Sequence, residues 1–295
     1  MLTVAVTGDV GAGKSHLVNI WASLGAGVID ADSAAKSQWS KPEVLERAVG
    51  RWGDGILRDG TADFREISRR AFSDEEEYRF MNSLIHPGTV ADICRAAASL
   101  RGLVVLEIPL LFESGAFDWA DYIVYVSAPD AQRILRNAAR GWGAEEIARR
   151  ECFMARRDEK MAKSNAVLAN DGDIDRWEAA SRELGMKLMA MATVHEFSVC
   201  CATREDAQRL AALLVENRLA ACVNIWAVES RYLWKGGIHD EPEWHMSCKA
   251  TARSLRPAME CVRANHPYEL PAITAVELSR SDPATLEWIV DCCGA

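Results

Sequence analysis

The sequence predicts an α/β fold built on a parallel sheet, followed by a smaller α+β unit, and three observations carry that prediction. An apolar strand, a glycine-rich turn and a helix open the chain. Apolar strands and amphipathic helices then alternate to about Leu188, the grammar of a parallel sheet covered on both faces. Beyond about Val194 the order of elements changes, and so does cysteine usage: only Cys94 and Cys152 of the nine cysteines precede residue 195. Two units of separate origin follow, 1–190 and 194–295, joined by a short methionine-rich stretch without a Gly/Ser or Pro linker.

In the first unit the apolar runs Leu2–Val6, Gly27–Ile29, Leu103–Ile108, Tyr122–Val126 and Ala166–Leu168 read as strands. Helical periodicity lies between them, at Lys14–Leu24, Glu75–Leu84, Val90–Leu100 and Ala131–Arg140 among others, and Asp173 is placed to cap a last helix ending near Leu188. In the second unit Phe197–Cys201, Ala221–Trp234, Glu243–Thr251 and Ile273–Leu278 read as strands, and Arg204–Arg218, Leu255–Ala264 and Pro283–Val290 as helices. That order, β-α-β-β-α-β with an added helix, predicts a ferredoxin-like sandwich.

Composition narrows the function classes. Hydrophobic residues make up 49% of the 295, enough for a packed core in each unit, and no apolar run approaches the ~20 residues of a membrane span. A net charge of −9 disfavours nucleic acid or an anionic membrane as partner. The N-terminus leads into the first strand without a basic leader, so the expected location is the cytoplasm, where the cysteines are thiols. The adjacent pairs Cys200-Cys201 and Cys292-Cys293 lack the spacing of a structural zinc site.

Gly8-Asp9-Val10-Gly11-Ala12-Gly13-Lys14-Ser15 matches the phosphate-loop pattern G-x-x-x-x-G-K-[ST] between a predicted strand and a predicted helix. There the backbone N–H groups of Gly11, Ala12, Gly13 and the helix start, through His16, face a polyphosphate; Lys14 reaches its β- and γ-phosphates, and Ser15 binds Mg²⁺. Asp32 closes the strand after the first helix, at a carboxyl end where α/β sheets bind ligands. It fits two roles equally, the base that accepts a proton from an attacking hydroxyl or the cap of a helix starting near Ala34. Glu107, before Pro109, could organise the metal through water.

The phosphate loop, Ile29-Asp30-Ala31-Asp32, His86-Pro87, Pro109-Leu110-Leu111-Phe112-Glu113 and the series Gln132, Arg136, Arg140 occur in one order, and in that order the first unit resembles the dephospho-coenzyme A kinases. The resemblance implies a phosphate-loop kinase sheet with a helical substrate domain, roughly 63–100, and a lid, roughly 140–160. It implies ATP-dependent phosphorylation of the ribose 3′-hydroxyl of dephospho-coenzyme A with Mg²⁺. On the matching positions Asp32 is the base, Lys14 holds phosphates, Arg140 spreads over the transferring phosphoryl group, and His86 and Glu113 lie toward the acceptor. Arg136 is either a further site cation or a solvated helix residue. The chain departs from the family at Asp9, where glycine is usual, and at His16, Met154 and Asn165; a carboxylate at Asp9 must point away from the phosphates. The alternatives are another small-molecule phosphate-loop kinase and a nucleotide- or metal-sensing scaffold without turnover.

The second unit resembles the CutA family, associated with divalent-cation tolerance, through Leu219-Ala220-Ala221-Cys222-Val223-Asn224-Ile225, Trp234-Lys235-Gly236, His266-Pro267-Tyr268-Glu269 and Leu286-Glu287-Trp288. That resemblance implies a homotrimer through this unit, with long strands pairing between subunits. It also implies a Cu²⁺ site, for which Cys201, His266 and Glu269 are the candidate ligands, against the plainer reading of buried thiols and a turn-shaping histidine.

Overall fold

The computed structural model describes residues 1–114, 120–138, 141–151 and 154–293. They form two compact units, Thr3–Gly185 and Met186–Ala295, the latter grouped with Met1–Leu2. Among the described residues no helix is long and apolar enough to cross a membrane.

The first unit contains β1 (Leu2–Gly8), α1 (Lys14–Ser23), β2 (Gly27–Asp30), α2 (Ala31–Gln38), α3 (Pro42–Trp52), the short hairpin β3 (Leu57–Arg58) and β4 (Thr61–Ala62), α4 (Phe64–Ala71), α5 (Glu75–Ala98), β5 (Leu103–Glu107), α6 (Leu111–Ser114), β6 (Tyr122–Ser127), α7 (Asp130–Ala138), α8 (Ala144–Glu151), α9 (Arg157–Ala162) and β7 (Ala166–Ala169). Its sheet has the order β2-β5-β1-β6-β7. Pairing is parallel between β2 and β5, β1 and β6, and β6 and β7. Every residue of β1 and β6 is buried, as expected of central strands covered on both faces. The chain winds from β1 to β2 and β5 on one side and to β6 and β7 on the other, so the end of β1 is the topological switch point where such sheets bind ligands.

Two expectations for the first unit change. Glu75–Leu84 and Val90–Leu100 are one helix, α5, with Pro87 inside it. The Thr89 hydroxyl donates to the Ile85 carbonyl at 2.8 Å, and Gly88 lets the Gln38 side chain of α2 approach, so packing and side-chain bonding carry the helix through the proline. The helical domain also begins well before residue 63: Trp39, Val44, Ala48 and Trp52 share one core with Ile67, Ala71 and Leu84. The Trp39 and Trp52 rings stack at 6.3 Å within it.

Helix α10 (Ile174–Ala192) starts where Asp173 accepts from the Arg176 N–H at 3.1 Å. The second unit then adds β8 (Val194–Cys201), α11 (Arg204–Glu216), β9 (Cys222–Trp234), β10 (Gly237–Thr251), α12 (Ala252–Asn265), β11 (Thr274–Glu277) and α13 (Pro283–Cys292). The order β11-β8-β10-β9, antiparallel throughout, is the ferredoxin-like sandwich. Its core joins Phe197, Val199, Met246 and Cys248 of the sheet to Leu210, Leu214, Ala258 and Val262 of α11 and α12. β10 starts six residues before the expected Glu243, because β9 and β10 run as a hairpin to a tight turn at Lys235-Gly236, both with positive φ. Pro242 is tolerated because it pairs only with Glu229 of β9; β8 reaches no further than Trp244.

One close contact tests the packing of the first unit. Trp21 of α1 is fully buried and donates its indole N–H to the Ser181 carbonyl at 2.7 Å. A Cβ on Gly185 would stand 2.5 Å from that ring. Gly185→Val therefore lowers the stability of this unit by about 3 kcal/mol, the upper end for overpacking, read as a lower urea midpoint at unchanged m-value.

Candidate active site

The loop is shaped by close approach. A Cβ on Gly8 would lie 2.0 Å from the Val126 carbonyl oxygen of β6, so only glycine lets β1 turn there. Gly13, at φ 106°, turns the chain into α1, and a Cβ there would meet the Asn170 amide at 2.7 Å. The first-turn N–H groups of α1, at Lys14, Ser15 and His16, have no intrahelical acceptor and point out of the helix start.

Asp9 is buried and faces away from the loop's concave side. Its carboxylate accepts from the Tyr125 hydroxyl at 2.5 Å and the Ala128 N–H at 3.2 Å, and pairs with Arg157 at 3.0 Å. Burial, reinforced by that contact with the carboxylate, raises the Tyr125 pKa. The departure at Asp9 thus anchors the loop to β6. A second anchor is Arg133 of α7, buried, which donates to the Val10 carbonyl at 3.0 Å and pairs with Glu151 of α8.

A cavity of about 530 Å³ opens over the loop. Gly11, Gly13, Lys14, Ser15, His16, Asp32, Glu107, Arg136 and Asn137 line it, with an apolar wall that includes Phe72, Pro109, Leu110, Trp142 and Met154. Ala12 lies beneath, its carbonyl accepting from Asn170 at 2.8 Å. Lys14 donates to the carbonyls of Gly8 (3.1 Å) and Asp9 (2.9 Å). Burial lowers its pKa, and Glu107, Asp9 and Asp32 oppose the shift. Ser15 donates to Glu107 at 2.8 Å, placing a hydroxyl and a carboxylate side by side, a set of hard oxygen donors suited to Mg²⁺. His16 faces Glu178 at 3.1 Å.

The structure separates the two readings of Asp32. Asp30, not Asp32, caps α2, accepting from the N–H groups of Asp32 (2.9 Å) and Ser33 (3.2 Å). Asp32 is left facing the cavity, its pKa raised by burial and by Asp30 against a partial pull from Lys36 and Lys14. Arg136 lines the cavity and is not left to solvent: it reaches over the loop to Asn170 (2.7 Å) and the Ala12 carbonyl (3.4 Å). Arg140 lies outside the described residues.

Other expected residues stand elsewhere. His86 is half-buried in α5 and does not line the cavity. Glu113 is buried against Lys160 at 3.0 Å and accepts from the Ala155 N–H at 2.8 Å, which ties α6 to the start of α9. The remaining basic residues of this stretch are also occupied, Arg156 with Asp158 and Arg157 with Asp9. Asn165 pairs by side chain and backbone with Ile123 beside the start of β7, a sheet-edge role. Asn170, which no motif marks in the sequence, follows a strand at its carboxyl end, the same signal that marks Asp32.

In the second unit Cys201 and His266 meet at 3.4 Å, but Glu269 is exposed and paired with Lys235 at 2.8 Å. His266 spends both ring nitrogens, Nε2 donating to the Cys200 carbonyl (3.0 Å) and Nδ1 accepting from the Tyr268 N–H (3.0 Å). Burial raises the Cys201 pKa to about 11. The three expected ligands therefore do not converge, and among the described residues no group of three His, Cys, Asp or Glu forms a metal site.

A parallel sheet with a phosphate loop at its switch point, a cation and a carboxylate facing one cavity, defines a phosphate-loop nucleotide-binding protein of the kinase type. Residues 2–176 match the family described as dephospho-CoA kinase, and residues 196–292 the family described as CutA1 divalent ion tolerance protein. A dephospho-CoA kinase of Xanthomonas oryzae pv. oryzae (strain MAFF 311018) is 32% identical over 187 residues, 61% of this chain and 93% of that one. That of Geobacillus kaustophilus (strain HTA426) is 35% identical over 178 residues, 58% and 89%. The crystal structure of TT1252 from Thermus thermophilus is 30% identical, covers 63% of this chain and 97% of that one, and superposes with a TM-score of 0.56. The chain belongs to the dephospho-CoA kinase family and carries a CutA1-family domain at its C-terminal end.

The buried Glu113–Lys160 pair generates a prediction. Glu113→Ala strands the Lys160 ammonium and lowers stability by about 3–5 kcal/mol. Replacing both, Glu113→Leu with Lys160→Met, recovers most of that loss in chemical denaturation, because it leaves no uncompensated charge.

Proposed function

We propose that this chain transfers the γ-phosphoryl group of ATP to the ribose 3′-hydroxyl of dephospho-coenzyme A, in the cytoplasm. The observation that carries the reading is the freedom of Asp32: Asp30 does the capping, so the Asp32 carboxylate faces the cavity that Lys14 and Ser15 line. Asp32 accepts the hydroxyl proton as the ribose oxygen bonds to the γ-phosphorus and the bond to ADP breaks. Lys14, the loop amides and Arg136 hold the phosphates and face the charge that spreads over the transferring group. Arg140 belongs to the same role by its sequence position. The Ser15 hydroxyl and the Glu107 carboxylate would hold Mg²⁺, which when bound offsets phosphate charge. Glu113 acts by positioning, through Ala155 and Lys160, and His86 through α5.

The CutA1-family domain assembles the chain into a homotrimer in this proposal. Support comes from its long hairpin and edge strand, which leave Leu233, Ile238 and Val276 more than three-fifths exposed, apolar surface that a second copy would cover. Cu²⁺ at Cys201, His266 and Glu269 is not part of the proposal, because His266 has no free nitrogen.

Four results test this reading. Coenzyme A forms from ATP, Mg²⁺ and dephospho-coenzyme A by mass spectrometry, and Asp32→Asn cuts kcat by at least about a hundredfold, the scale of general-base assistance; turnover retained in the variant would remove the assignment. The raised pKa of Asp32 moves the acidic limb of kcat/KM above the ordinary aspartate range, and the limb disappears in Asp32→Asn. The same shift has a stability consequence. The fold disfavours the charged form, so stability falls as pH rises through the folded pKa, and Asp32→Asn raises Tm at pH 7 but not below the unfolded pKa. Finally, light scattering at micromolar concentration gives three times the chain mass.

A further inference from the structure

We infer that Lys36 of α2 holds the 5′-diphosphate of the acceptor nucleotide while Asp32, one helical turn earlier, takes the proton of its 3′-hydroxyl, an inference that rests on the acceptor reading above. Helical spacing carries it. Asp32 and Lys36 stand four residues apart in α2, on one face of the helix and about 6 Å apart along its axis. Side chains on a helix tilt toward its N-terminus, so Lys36 leans back over the turn that holds Asp32. Burial and Asp30 raise the Asp32 pKa, and of the two cations that oppose the rise Lys36 counts for more than Lys14, although Lys14 lines the cavity with Asp32. The Lys36 charge thus stands near the base without being spent on a partner: the residue is exposed, and among the described residues its ammonium has no ion pair or hydrogen bond. Lys41 shows the contrast, bonded to the Gln38 side chain and facing Asp92 at 3.9 Å.

The charge balance around the base calls for such a cation. Asp30 at the end of β2 pairs in register with Glu107 at the end of β5, and with Asp32 they make this side of the site acidic. Lys14 is bonded to the loop carbonyls and Arg136 to Asn170, so both stand with the donor phosphates. An acceptor that carries a 5′-diphosphate brings further negative charge toward three carboxylates, and a cation on its own side offsets that repulsion. The 3′-oxygen and the 5′-phosphate lie at two edges of one ribose, a span of about one helical turn. An acceptor with its 3′-hydroxyl at Asp32 therefore brings its diphosphate to the next turn of α2. There Lys36 meets it as a point charge on a flexible stem.

The experiment is steady-state kinetics on the full chain, with both substrates varied, for the parent, Lys36→Ala and Lys36→Arg. It is run on the pH plateau above the acidic limb, so that Asp32 is charged in every protein. The expected result is a rise of about tenfold in KM for dephospho-coenzyme A in Lys36→Ala, the scale of one lost hydrogen bond to a charged group. There kcat and KM for ATP stay at the parent values, and Lys36→Arg recovers most of the loss. Added KCl raises KM for dephospho-coenzyme A more steeply in the parent than in Lys36→Ala, because the variant has no charge there to screen. A fall in kcat at unchanged KM would overturn the inference, since Lys36 would then act through Asp32. A rise confined to KM for ATP would overturn it in favour of the donor phosphates, and unchanged constants would overturn it outright. Parent protein that does not phosphorylate dephospho-coenzyme A would instead sink the acceptor reading, and this inference with it.

Discussion

The phosphate loop depends on a buried charge that points the wrong way for catalysis and the right way for architecture. Asp9 turns its carboxylate from the concave side of the loop into the end of β6, where Tyr125, the Ala128 N–H and Arg157 meet it. A buried carboxylate is tolerable only when its oxygens are satisfied, and two donors and a guanidinium satisfy them. The anchor joins β1, β6 and α9 at the point where the strand order switches from one side of β1 to the other. Arg133 repeats the device one residue on, holding the Val10 carbonyl while Glu151 holds Arg133. Loop amides fixed by such contacts need no reorganisation when phosphate arrives, which is the preorganisation that phosphoryl transfer exploits.

The same logic divides the charged residues of this unit into two sets. Lys14 and Arg136 face the cavity, while Arg157 and Lys160 are occupied by Asp9 and Glu113. From sequence these four look alike, as basic residues near a phosphate motif. They differ in depth and in partner: a cation beside a buried carboxylate on another element has structural work, and only one beside the loop's open face can serve a ligand.

Local chemistry decides how much was legible. The five strands of the first sheet, the loop and the ferredoxin-like order of the second unit each follow from short-range periodicity and glycine placement, and each stands where the sequence predicts it. The helical domain extends beyond 63–100 because Trp39, Val44 and Ala48, which carry no motif, belong to it through packing against Ile67 and Leu84, a relation between distant segments. Local propensity sets a helix break at Pro87, yet α5 runs through it, with Gln38 of α2 close against Gly88. The sequence leaves Arg136 open between a site cation and a solvated helix residue, and it names a metal trio that does not converge. A helix position alone cannot say which way an arginine reaches, and residue types suited to a metal cannot say that the histidine's nitrogens are already taken.

Asp32 shows why the capping aspartate two residues earlier matters to chemistry. Asp30 and Asp32 sit at one helix start, where either carboxylate could satisfy the exposed N–H groups. Had Asp32 taken that role, its charge would be spent on backbone donors and its pKa held down, a poor acceptor for a proton. With Asp30 doing the capping, Asp32 is left with burial and a like charge as its main neighbours, both of which raise its proton affinity, while Lys14 and Lys36 limit the rise. The Ile29-Asp30-Ala31-Asp32 run is thus a division of labour between two identical side chains: one fixes where the helix begins, and its charge adds to burial in raising the other's affinity for a proton.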